Sequence, residues 1–204
     1  MKWSLILLFA SVLLAGDEPR LVFSKSFPGS VPEFMKITLE KSGAAEYREA
    51  EDDDLPLKFQ LTPAETQTVF DLAAKVDYFK HPLESQLKVA FMGMKTFRYE
   101  NGAAKTETKF NYSEDPNAQA LLDWCERMAE SAQHRIDLER AAKYDRLGVV
   151  KALSLLGSAL ERKRLVGLDQ YLPMLDRIAK NENYMHTARA RASEIAESIR
   201  NPKP

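Results

Sequence analysis

Asn117 to Arg146 reads NAQALLDWCERMAESAQHRIDLERAAKYDR, a run without glycine or proline. Its apolar residues Leu121, Leu122, Cys125, Met128, Ala129, Ala132 and Ile136 recur at three- and four-residue steps, the spacing that gathers side chains on one stripe of a helix. Ser113-Glu114-Asp115-Pro116 comes immediately before it. Asp115 or Ser113 can cap a helix N-terminus, and Pro116 suits the first turn, where its missing N–H costs nothing. Short alternating segments lie upstream of this stretch and further helix lies downstream. It is the joint between two structural regimes, and its apolar stripe has the form of a packing surface between them.

Upstream, Leu21–Phe27 and Phe34–Glu40 alternate apolar with polar residues as half-buried strands do. Pro28-Gly29-Ser30 separates them, and Ser42-Gly43 turns into a shorter strand, Ala45–Arg48. Another strand is expected over Leu55–Leu61. Thr62-Pro63-Ala64-Glu65 is then a capping box with proline at the first helical position. The helix it opens carries Val69, Phe70, Leu72, Ala73 and Val76 on one side and should stop near Tyr78 or Phe79, before His81-Pro82. Strand patterns return at Leu87–Met92, Thr96–Glu100 and Lys105–Tyr112. Asn101-Gly102 between the last two predicts a tight hairpin.

The residues Pro32-Glu33-Phe34 through Ile37, with Gly43 and Tyr47, resemble the signature of small exported bacterial domains of unassigned function. Many of those carry a cysteine just before the proline, where this chain has Val31. The resemblance implies an exported domain and no particular activity.

Downstream, glycines at 148, 157 and 167 divide the chain into helical runs expected over Leu147–Leu165 and Leu168–Ala179. A last helix, Tyr184–Arg200, presents Met185, Ala188, Ala192, Ile195 and Ile199. The segment Tyr171–Ile199, with Pro173 in its first helix and Asn181–Asn183 at its turn, is similar to one HEAT-type helical hairpin. No second copy recurs at a fixed period, which a solenoid requires.

Met1 to Gly16, MKWSLILLFASVLLAG, has one basic residue, an apolar run and a small-residue end, the layout of an export signal. The run is shorter than the roughly 20 residues that span a bilayer. Asp17 stands where a lipoprotein would need cysteine, so lipidation through that box is chemically excluded. The expected organisation is 1–16 signal peptide, 17–116 α+β domain and 117–204 helical domain, without a stable membrane anchor once the leader is removed. The expected location is periplasmic or secreted.

A formal net charge of -1 argues against a generic nucleic-acid binder, whose surface would be strongly basic. Charge is unevenly divided: residues 17–116 hold 13 basic and 18 acidic residues, and residues 117–204 hold 15 and 12. The opposite signs favour docking of the halves, weakly and in a salt-dependent way. One cysteine cannot form an intramolecular disulfide even in an oxidising compartment, so Cys125 is read as a small buried hydrophobe.

Few residues suggest chemistry. Glu49–Asp54, EAEDDD, lacks the alternate spacing and the glycine of a calcium loop, and is read as a solvated loop. His81, His134 and His186 lie in separate elements, without metal-ligand spacing. His134 has Glu130 and Asp137 one turn away, which could orient an imidazole base, but no nucleophile is in local register. Arg162-Lys163-Arg164 and the pair Arg189 and Arg191 are interleaved with carboxylates and read as a mixed surface. Asn111-Tyr112-Ser113 is a glycosylation sequon. No phosphate-cradling or nucleophile-elbow motif is present.

The fold class read from these patterns is α+β: a small antiparallel sheet with one packed helix, followed by a C-terminal helical bundle. The expected role is non-catalytic, a protein-interaction or structural module of the bacterial envelope. No catalytic, cofactor-binding or metal residue and no cofactor is assigned, and the partner expected is another protein. Two alternatives remain open: a hydrolase whose site assembles only in the fold, and a ligand-binding module using a sheet face rimmed by Phe97, Tyr99 and Tyr112.

Overall fold

A computed structural model describes residues 18–202, so the leader lies outside the described residues. Six strands form one antiparallel sheet: β1 Arg20–Ser26, β2 Phe34–Glu40, β3 Ala44–Arg48, β4 Leu57–Gln60, β5 Met94–Asn101 and β6 Ala104–Phe110, in the order β4-β3-β2-β1-β5-β6. The first four strands make a meander. After helix α1, Pro63–Lys75, the chain returns to the free side of β1, so that β1 pairs with β2 at Phe23↔Ile37 and with β5 at Phe23↔Phe97. Alternation then selects the faces. Leu21, Phe23, Ile37, Leu39, Tyr47, Phe59, Phe97 and Phe110 point into one core, while Arg20, Lys36, Glu46, Arg98 and Glu107 stand on the opposite, open face.

The capping box of α1 forms as its sequence predicts. Thr62 Oγ1 accepts from the Glu65 N–H at 3.2 Å and Glu65 Oε2 accepts from the Thr62 N–H at 2.8 Å, a device worth about 1 kcal/mol. The other oxygen of Glu65 accepts from the Gly167 N–H at 3.1 Å, tying this helix start to the second half of the chain.

The organising helix is α2, Pro116–Tyr144, and Asp115 is its cap, accepting from the N–H groups of Asn117 and Ala118. Its stripe from Ala118 to Ala132 is buried in the core beneath the sheet, together with α1. Six residues further on, Leu138 belongs to a second core. That core is built by α3, Gly148–Glu161, α4, Leu172–Lys180, and α5, His186–Arg200, through Leu153, Leu156, Leu175, Ile178, Ala188, Ala192 and Ile195. Two layers therefore share one helix.

The connector after α3 is pinned to α2 at Ser131, which is fully buried. Ser131 Oγ accepts from the Val166 N–H at 2.9 Å and donates to the Arg127 carbonyl at 2.9 Å, and the Tyr171 hydroxyl donates to the Ser131 carbonyl at 2.5 Å. Gly167 takes φ 59 there, and a Cβ at this position would meet the Gln60 carbonyl at 2.7 Å. Arg164 adds contacts to Glu130 at 2.9 Å and Asp123 at 2.5 Å.

Several expected boundaries move. The hairpin turn is Gly102-Ala103, since Asn101 pairs with Ala104, and Gly102 takes the positive φ. The run expected over Leu147–Leu165 ends at Glu161, with Lys163 left-handed at φ 56. Arg164 and Lys163 N–H groups bond back to Ala159 and Leu160, closing the helix without glycine. The next run divides into a single 3-10 turn, Leu168–Tyr171, and α4, while α5 begins at His186.

The strand expected at Leu87–Met92 is absent: residues 88–93 join no ladder. Both sides of β5 are already taken, by β1 and β6, and Gly93 bends at φ 92 before β5 starts. The apolar alternation is present, but the sheet offers it no neighbour.

Ser131→Ala should lower unfolding free energy by about 1–3 kcal/mol, because it leaves the buried Val166 N–H without an acceptor. Urea unfolding of the variant against wild type checks this.

Candidate functional site

The strands β1, β5 and β6 meet the start of α2 at one end of the sheet. Lys95 lies there, 4% exposed on the core-facing side of β5, two residues before Phe97. Its Nζ donates to the carbonyls of Asn111 at 2.6 Å, Gly93 at 3.1 Å and Met92 at 3.4 Å. Burial lowers its pKa, with the Lys25 charge adding to that effect and Glu126 opposing it. Lys95 escapes the sequence patterns because a lysine in phase with Phe97 and Tyr99 looks like the end of the apolar alternation.

Lys25, Lys95, Tyr112, Ser113, Leu122 and Glu126 line a cavity of about 220 Å³ at this end. Its polar groups are largely engaged: Lys25 faces Glu126 at 3.4 Å and Gln119 donates to the Tyr112 hydroxyl at 3.2 Å. Met92 and Asn111 also line it, and the segment 84–94 is held to Asn111. Asn111 Oδ1 accepts from the Met92 N–H at 2.7 Å and Asn111 Nδ2 donates to the Ala90 carbonyl at 3.0 Å. The Asn111 N–H in turn donates to Glu84 Oε2 at 2.5 Å. The sequon asparagine is thus a structural clamp.

This clamp leaves large apolar side chains in solvent. Leu87 is 55% exposed and Phe91 53%, with Val89, Met92 and Met94 also uncovered. Phe91 meets Phe27 edge-on, with ring centroids 5.9 Å apart, beside the loop that carries the fully exposed Val31. Six large apolar residues are thus exposed around this end of the sheet.

The other candidates are taken up elsewhere. Cys125 is 4% exposed in the sheet core, and burial pushes its thiol far above the ordinary range. His134 faces Glu130 at 4.0 Å, but that carboxylate is claimed by Arg164, and Ser131 beside it is committed to Val166 and Arg127. His81 is exposed with Asp77 at 3.4 Å, and His186 is exposed at the start of α5. Among the described residues no group of His, Cys, Asp and Glu could hold a metal ion. The acidic run forms the β3–β4 loop, folded on itself by Arg48 donating to the Asp53 carbonyl and by the Leu55 N–H donating to Asp53 Oδ1 at 2.9 Å. Arg162 lies 4.0 Å from Glu130, and Arg191 joins Glu161 and Glu194.

Of the three rim aromatics expected for a ligand site, Tyr112 lines the cavity described above, and Phe97 and Tyr99 are packed. Phe97 packs against Phe23, Phe79 and Phe110, and Tyr99 stacks on Tyr78 at 4.4 Å. The open face of the sheet is a charge lattice. Glu100 is the most buried acid in it, and although burial raises its pKa, the bonds and charges of Arg20 and Lys105 outweigh this and keep the carboxyl below the usual range.

No protein-family model matches this sequence, and no curated protein is similar enough to be counted a relative.

Cys125 should resist a bulky thiol reagent in the native state and react once urea unfolds the chain, as followed by absorbance of the released thiolate. His134 gives a pH test. Burial holds its pKa below 6.5, with Arg162 assisting and Glu130 and Asp137 opposing. The unfolded chain therefore binds the proton first, so this contribution to stability is complete above pH 6.5 and declines as pH falls through 6.5 toward the lower folded value. His134→Gln should lose less stability than wild type between neutral and mildly acidic pH in urea titrations.

Proposed function

We propose that this chain is an exported, non-catalytic protein-binding module that makes its contact through the apolar end of the sheet. The observation that carries the reading is the exposed set Leu87, Val89, Phe91, Met92 and Met94 beside Val31. The leader-like Met1 to Gly16 supports export to the periplasm or the extracellular space, where the partner would be met. No helix among the described residues is long and apolar enough to cross a membrane. The near-neutral net charge fits a protein partner better than a polyanion.

Energetics shape what kind of partner fits. Full burial of a Leu, Met or Phe side chain stabilises by about 1.5–3 kcal/mol, and these side chains are already about half covered. Association itself costs about 4–15 kcal/mol, so apolar contact with three or four such residues does not bind a partner firmly alone. A partner that also makes directional hydrogen bonds to this segment closes the gap.

Pull-down from an envelope fraction with the immobilised chain should recover a protein that Phe91→Asp fails to recover, while circular dichroism of the variant stays native. Recovery of the same proteins by the variant, or turnover of a test ester by the wild-type chain, would overturn the reading.

A further inference from the structure

The segment that carries the apolar patch has one bonded edge and one open edge. Its inner edge is clamped, because the Ala90 carbonyl and the Met92 N–H both bond to the one Asn111 side chain. With Ala90 and Met92 both turned to Asn111, alternation along the chain turns the backbone groups of Phe91, between them, to the other side. The Phe91 N–H, the Phe91 carbonyl and the Val89 carbonyl have no partner among the described residues. The Val89 N–H reaches only the Leu87 carbonyl two residues back, at 3.1 Å.

The ordinary defences of a sheet edge are missing at this place. The sheet's own edge strands are guarded: β4 has only four residues, and β6 carries exposed Lys105, Glu107 and Lys109. Between Leu87 and Met92 there is no proline and one charge, Lys88, and every residue of the run is exposed.

From this geometry we infer that the partner of the segment is a second copy of the chain, added as an antiparallel strand about a two-fold axis at Ala90. The inference rests on the protein-binding reading and names its partner. A two-fold axis makes one patch serve both subunits, which closes the assembly as a dimer. With Ala90 opposite Ala90 of the other copy, the Phe91 N–H donates to the Val89 carbonyl across the axis and the Val89 N–H is released from Leu87 to donate to the Phe91 carbonyl. Val89 then lies against Phe91, an aromatic and β-branched pair that stabilises antiparallel strands. Lys88 falls opposite Met92, so no like charges meet.

The test is light scattering on the purified chain, its N-terminus defined by mass spectrometry, over a wide range of concentration. The mass should rise toward twice that of the monomer as concentration increases. Phe91→Pro should remain monomeric throughout with an unchanged circular dichroism spectrum, since the N–H it removes bonds nothing within one chain. Ala90→Cys should give a disulfide-linked dimer on mild oxidation, because a non-hydrogen-bonded antiparallel pair brings Cα atoms within disulfide reach, whereas the exposed control Glu114→Cys should not. A monomeric mass at every concentration, or a dimer that survives Phe91→Pro, would overturn the inference. If the chain is monomeric and Phe91→Asp still abolishes pull-down of another protein, the second copy is excluded and the protein-binding reading stands. If both measurements fail, both are excluded.

Discussion

The burial of one helix in two cores is the constraint on which the rest of the structure depends. The stripe of α2 from Ala118 to Ala132 completes the core under the sheet, and Leu138 enters the helical core six residues later. Ser131 sits near the changeover, fully buried, and fixes the register of the returning connector through Val166 and Tyr171. A buried polar group is costly unless it is satisfied, so this hydroxyl admits one arrangement of the connector. Glu65 adds a second fastening by capping α1 with one oxygen and holding Gly167 with the other.

The exposed end follows from how the sheet is wound. Because the chain returns to β1 after α1, β5 is flanked on both sides and the residues just before it have nowhere to pair. They are left at the sheet's end, clamped by Asn111 and backed by the buried Lys95. Charge also follows the winding, since alternation sends the ionised residues of the strands to the open face, where they neutralise one another.

Much of this was legible locally. Thr62-Pro63-Ala64-Glu65 announces a helix start because a capping box needs only its own four residues. Phe34–Glu40 announces a strand because its alternation is complete, and the stripe from Leu121 to Ala132 announces a buried helix face. Cys125 in that stripe is buried for the same reason. Other features could not be read this way. Leu87–Met92 carries a strand pattern and is not a strand, because pairing depends on a neighbour that distant residues supply. Lys95 is buried because Asn111, Gly93 and Met92 offer it three carbonyls, a convergence that no spacing encodes.

The sequence by itself determined the α+β class, most element positions, the capping of α1 and α2, and the packing role of the long helix, since periodicity and capping act within a few residues of one another. Only the tertiary structure decided the strand order, the division of α2 between two cores, the clamping by Asn111 and the exposure of Leu87 to Met94. Those depend on which surfaces meet across long separations in the chain, and a surface is exposed only relative to what else has already been buried.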